Sequence, residues 1–482
     1  MRHRLLRYIL VAFSLIISGV CAQALDLPTK RVKGVEYYYY KVKKGESLYG
    51  ISRNLGLTPD EIIRYNPAQA NGVHKDDMLI FPVADFQEAA VAEDVAQPEA
   101  PAAIVVEEEV AAEVRPSIAV LLPFGLSSAE PSKQNKLALD FYKGFLIATD
   151  SLSERSKGLE IIARDTEGLT PEALKKLIAT DEALSTAAVI IAPDDEKSIH
   201  AIAGAAAQNG TFVFNTLNIR DSLYLTAPNV LQANVPQHTM YRLAVDGLMD
   251  TYAGYTPVIL HNTEGRNEKE SFVDYLTGRY RAIGTEPIIV SYNTNLLMAN
   301  LEELPAAADE KYVFVPSSGS LAEFNRFAYI LKSYRDLLAA RAEEAEEGTA
   351  VATAEVFGYP DWTAFRGEAL DLLHRLDATV YSRFLDEPEG FETRNIAAAF
   401  RRWFGGSMIE SIPTYGLLGF DTANYLIRNL NANGGEFDPQ SPRSYTGIQS
   451  AFDFEQSGEG YVNSTLYIIN YQPGGRIAAR QQ

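Results

Sequence analysis

Cysteine is nearly absent: Cys21 is the only one among 482 residues. One cysteine excludes an intrachain disulfide framework and a multi-thiolate metal site. Histidine is scarce too, at six residues. His74, His200, His238, His261 and His374 are scattered, without the short spacings that bring two imidazoles to one metal. Neither a G-x-S-x-G elbow nor a glycine-rich phosphate loop occurs. Asp194 and Asp195 are neighbours, but adjacency on the chain does not make an acid–base pair, and helix caps use such residues. The sequence therefore predicts a protein that is not an enzyme and carries no metal and no cofactor. Positive charge is also short, with 43 Lys and Arg against 63 Asp and Glu and a net charge of -20. Such an anion repels nucleic acid and anionic lipid.

What is present begins at the N-terminus. Arg2, Arg4 and Arg7 precede an apolar run from Ile9 to Val20, and Ala22-Gln23-Ala24 puts small residues on both sides of Gln23. A basic part, an apolar part and a small-residue part in that order read as a secretory signal over 1–24, cleaved after Ala24. The apolar run is shorter than the roughly 20 residues that a membrane span requires. Export places the protein in the periplasm. Cys21 lies where a bacterial lipoprotein is acylated, but the bulky Val20 before it disfavours lipidation. The length suggests two to four domains at roughly 100–200 residues each. Hydrophobic residues make up 46% of the chain, enough for sizeable cores.

The clearest local pattern runs from Tyr40 to Val83. Tyr37 to Val42 is aromatic and β-branched, as a strand requires. Ser47 can cap a helix in which Leu48, Ile51 and Leu55 recur at helical spacing. Gly56 stops it. Thr58 and Glu61 form a capping box for a second helix, with Ile62, Ile63 and Tyr65 on its buried face. Asn66-Pro67 ends that helix, and Met78 to Phe81 is a second strand. The order is β-α-α-β.

This stretch resembles the LysM domain family through Tyr40-Lys41-Val42-Lys43-Lys44-Gly45-Glu46-Ser47-Leu48, Ile51-Ser52, Asn66-Pro67 and Leu79-Ile80-Phe81-Pro82. Asp76 departs from the pattern, where a turn glycine is usual. The resemblance implies a domain over 36–83 that binds N-acetylglucosamine-containing glycan, hence peptidoglycan. It also implies a groove between two loops, Gly45, Glu46, Ser47 and Leu48 in one and Tyr65, Asn66, Pro67 and Ala68 in the other. Gly45 would let a sugar approach the backbone, while Leu48 and Pro67 could pack on a sugar face. Gly45, Ser47 and Asn66 equally suit plain turns and caps.

Residues 84–115 are rich in Ala, Glu, Val and Pro, with Glu107-Glu108-Glu109 as the densest charge. They read as a disordered acidic linker, or around Ile104 to Val114 as a short charged helix.

From Pro116 to Gln482, apolar strands alternate with helices. Strands are expected at Ile118–Leu122, Leu159–Ala163, Ala188–Ala192, Phe212–Phe214, Pro257–Leu260, Pro287–Ser291, Tyr312–Val315 and Ala354–Phe357. Helices are expected at Lys136–Leu152, from Thr170-Pro171-Glu172, and through Ala201–Ala207. This alternation predicts α/β architecture with mostly parallel sheets, and the length predicts two lobes. Asn431 to Gln440 reads as a turn-rich connection, Arg341 to Glu347 as a solvated helix end, and Gly474-Gly475 as the start of a frayed C-terminus.

The order resembles the type I periplasmic-binding-protein fold, the group with branched-chain amino-acid receptors. Matching segments are Ile118-Ala119-Val120-Leu121-Leu122-Pro123, Asp165-Thr166, Val356-Phe357-Gly358, Gly419-Phe420-Asp421-Thr422-Ala423 and Tyr445-Thr446-Gly447-Ile448. The resemblance implies three chain crossings between lobes and a solute cleft at strand C-terminal ends. Cleft candidates are Phe124, Asp194, Asn215, Thr216, Asn262 and Ser317, each of which also suits an ordinary strand-end loop. Pro193-Asp194-Asp195-Glu196 stands where such receptors bind a carboxylate, and its charge would repel an anionic solute. The expected role is wall attachment through the first module. The second would sense a ligand or dock on a cell-wall synthesis or envelope protein. The alternative is a receptor for uptake of amino acids or peptides.

Overall fold

The computed structural model describes residues 27, 29–32, 35–43, 51–52, 55, 62, 66, 73, 75, 77–82, 116–152, 158–304, 310–344 and 352–482. The expected signal segment and the linker lie outside these residues. The chain divides into two compact units between Glu109 and Val110.

The first unit holds a three-stranded antiparallel sheet of β1 (Thr29–Val32), β2 (Val35–Lys41) and β3 (Met78–Pro82), with β2 in the middle. Along β3, Leu79 and Phe81 are buried while Met78 and Ile80 are exposed, the two-residue alternation of a strand with one face on a core. Tyr38, Val42, Ile51 and Ile62 complete that core. β1 lies upstream of residue 36, where the sequence reading begins the module. Its four residues, Thr-Lys-Arg-Val, carry no alternation from which a strand could be read.

The second unit has two lobes. Lobe 1 takes the strands β4 (Ser117–Leu122), β5 (Glu160–Asp165), β6 (Val189–Ala192), β7 (Phe212–Asn215) and β8 (Val230–Gln232). Lobe 2 takes β9 (Thr256–Asn262), β10 (Ile288–Tyr292), β11 (Lys311–Pro316), β12 (Thr353–Gly358) and β13 (Thr379–Ser382). Lobe 1 then regains β14 (Ser444–Thr446), β15 (Ala451–Ser457) and β16 (Gly460–Asn463), and lobe 2 ends on β17 (Tyr467–Gln472) and β18 (Arg476–Gln481). The sheet orders are β14-β15-β16-β8-β7-β6-β4-β5 and β10-β9-β11-β12-β13-β17-β18. Every pair among β4 to β8, and every pair among β9 to β13, is parallel. The chain passes between lobes three times: after β8, after β13 and after β16.

Helices flank both sheets: α1 (Lys133–Ser151), α2 (Pro171–Thr180), α3 (Glu196–Ala206), α4 (Gln237–Thr251), α5 (Glu270–Ala282), α6 (Leu321–Glu344), α7 (Phe391–Phe404) and α8 (Tyr415–Ala432). Their starts follow local chemistry. Ser132 and Asn135 close a capping box, Thr170 caps α2 with Pro171 in its first turn, and Asp195 accepts from the Ser198 N–H at 2.9 Å. In lobe 1, α1 and α8 touch backbone to backbone. A Cβ on Gly144 would lie 1.8 Å from the Gly416 carbonyl oxygen, and one on Gly419 would lie 1.9 Å from that of Phe141. Only glycine fits at either position.

Two expectations change. The C-terminus is not frayed. Gly474 and Gly475, at φ 83° and 78°, turn the chain into β18, which pairs with β17 from Gln472 to Tyr467. Gln482 then exchanges backbone hydrogen bonds with Leu466 in both directions. The composition suggested a loose tail because β18 is polar and largely exposed; pairing along an edge needs no buried side chains. Strands also occur beyond Phe357, and those after β13 pair antiparallel except where β16 joins β8 in parallel.

Candidate functional site

The C-terminal ends of the parallel strands carry the polar residues that the sequence singled out. Phe124, just past β4, is buried, with its ring 5.5 Å from that of Tyr142. Asp194, past β6, is exposed and accepts from Gln134 Nε2 at 3.0 Å, while its carbonyl accepts from Asn218 Nδ2 at 3.0 Å. Asn215 ends β7 and is buried, giving its amide to Gln232 Oε1 at 2.7 Å. Thr216 joins Asp194, Phe141 and Tyr415 around a hollow of about 20 Å³. That is room for about one water molecule.

In lobe 2, Asn262 ends β9. Its amide donates to Glu323 Oε1 at 2.7 Å, and the Tyr292 hydroxyl donates to the same oxygen at 2.7 Å. Ser317 Oγ lies 2.9 Å from the Leu260 carbonyl and 2.7 Å from Asn267 Oδ1. Ser318 Oγ and the Gly319 N–H both donate to Glu268 Oε1, at 2.8 and 2.9 Å. The structure thus brings Asp194 and Thr216 to one hollow. It ties Asn215, Asn262 and Ser317 into bonds within their own lobes.

A residue the sequence reading did not raise sits at a crossing. Arg383 follows β13, and its Nε donates to the Val235 carbonyl at 2.7 Å, on the segment that leaves β8. A second guanidinium nitrogen lies 3.4 Å from Gln237 Oε1. Both partners are neutral, and no carboxylate among the described residues forms an ion pair with Arg383. Burial pulls the guanidinium down to about 10, beside Tyr381 and Tyr241. A half-buried cation without a counterion is costly to keep. The only sequence signal was one arginine wedged into the mostly apolar run Val380-Tyr381-Ser382-Arg383-Phe384-Leu385.

Buried polar side chains also fix the crossing after β16 and the loop between β14 and β15. Asn463 donates to the carbonyls of Ala233 and Ala451 at 2.9 and 2.8 Å and accepts from the Asp453 N–H at 2.9 Å. Asp421, fully buried on α8, accepts from the N–H groups of Ile448, Gln449 and Ser450 at 2.8, 2.9 and 2.8 Å. Burial pushes its carboxyl up to about 6, against the pull of those donors. The loop comes so close that a Cβ on Gly447 would lie 2.3 Å from the Asp421 carboxyl carbon.

In the first unit, Gly45, Glu46, Ser47, Leu48, Tyr65, Pro67 and Ala68 lie outside the described residues. Asn66 is buried. Its amide donates to the carbonyls of Ile62 and Ile80 at 3.0 and 3.1 Å, and its Oδ1 accepts from the Ile80 N–H at 2.8 Å. It ties the helical segment at Ile62 to β3.

Two parallel α/β sheets joined by three crossings, each extended by late antiparallel strands, define the second unit as a type I periplasmic-binding-protein fold. Within the first unit, residues 40–82 are a LysM domain, the stretch that the family model of that description matches. Among solved structures, one assigned to a branched-chain amino acid ABC transporter from Rhodospirillum rubrum matches with a TM-score of 0.50 at 12% identity, over 76% of this chain and 100% of that one. A substrate-binding protein from Desulfitobacterium hafniense in complex with Leu matches at 15% identity and a TM-score of 0.38, over 76% and 99% of the chains. Full-length LpoA from Haemophilus influenzae matches at 12% identity and a TM-score of 0.43, over 76% of this chain and 59% of LpoA. No curated protein sequence matches the chain.

Proposed function

We propose that this protein works in the bacterial envelope as a receptor or docking subunit held on peptidoglycan. The LysM domain binds N-acetylglucosamine-containing glycan, and the two-lobed unit senses a ligand or engages a cell-wall synthesis protein. The observation that carries this reading is the union of both modules in one chain, LysM over 40–82 and a receptor fold covering most of the rest. A wall-bound molecule suits a local sensor better than a shuttle, because delivery of a solute to a transporter needs free diffusion.

One observation favours a solute reading. Arg383 provides the crossing with an uncompensated cation, so a ligand bound there would bring an anionic group. That differs from the repulsion of an anionic solute expected from Asp194, Asp195 and Glu196. These three side chains are exposed on the other lobe, where Asp195 is occupied as a cap.

The test is retention of the purified full chain on insoluble peptidoglycan. Soluble N-acetylglucosamine oligosaccharides should elute it. Elution by salt, with no effect of the oligosaccharides, would contradict glycan recognition.

A further inference from the structure

At the opposite end of lobe 2, away from the strand C-terminal ends, lies a hollow of about 410 Å³. It is larger than the hollow of about 170 Å³ beside Pro116. It opens between the end of α4 and strands β12, β13, β17 and β18. Tyr252 and Tyr255 form an aromatic wall, their ring centres 5.4 Å apart. Glu355, Asp377, Thr379 and Arg480 supply the polar lining.

Asp377 is the only residue other than glycine at positive φ among those described, at 52°. It closes the helix Glu368–Arg375: the Asp377 N–H bonds the His374 carbonyl, and the Ala378 N–H bonds that of Leu373. This is a helix end that ordinarily takes glycine or asparagine. An aspartate there accepts backbone strain and places a carboxylate on the hollow. Strain held at one position of a cavity points to use of the side chain.

The polar groups in the lining already have partners, Glu355 in an ion pair and Asp377 and Arg480 in hydrogen bonds to neutral side chains. Glu355 lies 3.1 Å from Arg335, Asp377 Oδ1 accepts from Asn470 Nδ2 at 3.1 Å, and Arg480 donates to Thr251 Oγ1 at 2.9 Å. Lys311 reaches over the Tyr255 ring at 5.9 Å. An ionic ligand would have to break these pairs. A neutral ligand with many hydroxyls needs only the remaining lone pairs and N–H groups, with a ring to lie against. Burial also pushes the Glu355 carboxyl up, despite Arg335 beside it, so this acceptor sits in a partly dehydrated wall.

We propose that this hollow is a second glycan site on the chain, taking a short neutral N-acetylated saccharide against Tyr252 and Tyr255 with Asp377 and Arg480 as hydrogen-bonding partners. Its ligand class rests on the wall-binding reading above. Two weak sites on one chain would gain avidity on a glycan strand, provided the linker lets both engage.

The full chain, incubated with a photoreactive N-acetylglucosamine tetrasaccharide and digested, should show label in residues 40–82 and also on the peptide bearing Tyr252 and Tyr255. Two variants probe the second label. Asp377→Gly suits the backbone at φ 52° and removes the carboxylate, and Tyr255→Ala removes part of the wall. Each should cut the second label at least five-fold and leave the first unchanged. Label confined to residues 40–82 would overturn the second site and leave wall binding standing. A second label unaffected by Asp377→Gly would overturn it too. No label anywhere would sink both readings.

Discussion

Asp421 and the glycines around it set the tightest constraints on single side chains. Three N–H groups converge on one buried carboxylate, and Gly447 lets the loop reach it. Asp421→Asn would turn one acceptor into a donor facing an N–H. It should cost about 1–3 kcal/mol, read as an earlier denaturant midpoint. An unchanged midpoint would mean the cage does not hold the loop between β14 and β15. Arg383 carries the opposite expectation. Arg383→Gln keeps a donor for the Val235 carbonyl and removes an unpaired charge, so it should stabilise the chain by roughly 1–3 kcal/mol. The guanidinium is charged both folded and unfolded below about pH 10. The gain should therefore be flat across neutral pH and shrink only as pH rises above 10. A destabilised variant would show that the cation is compensated after all. Neither residue's task was legible in the sequence, because each depends on partners far along the chain. The reverse holds for Asp195 and Thr170, whose capping partners stand three residues away.

At the scale of elements, parallel strands were legible because burial on both faces makes them continuous apolar runs, as in Val189-Ile190-Ile191-Ala192. Helix starts were legible from Thr170-Pro171. The late strands β14 to β18 were not, and the two at the sheet edges, β14 and β18, are polar and largely exposed. β18 shows the consequence: a segment expected to fray completes a sheet. Removing residues 476–482 would leave β17 as a bare edge and break the Leu466–Gln482 exchange. That truncation should lower the melting temperature by several degrees; an unaltered melt would restore the frayed tail. The α1–α8 contact makes a sharper demand. Gly419→Ala places a methyl 1.9 Å from a backbone oxygen, so the helices must separate, at a cost of about 1–3 kcal/mol. Tolerance of that change would mean that the helices can part freely.

For the whole molecule, two modules were readable at once: a LysM domain and, after it, a two-lobed α/β unit. The LysM pattern is local, so spacing alone carried it. The cleft was less readable. Residues at strand ends are polar whether they bind a solute or each other, and Asn215, Asn262 and Ser317 turn inward. The account depends above all on attachment to the wall by the first unit. The direct measurement is co-sedimentation of the full chain with purified sacculi, beside a chain lacking residues 40–82. The full chain should pellet and the shortened one stay in solution; equal pelleting, or none from either, would contradict the account.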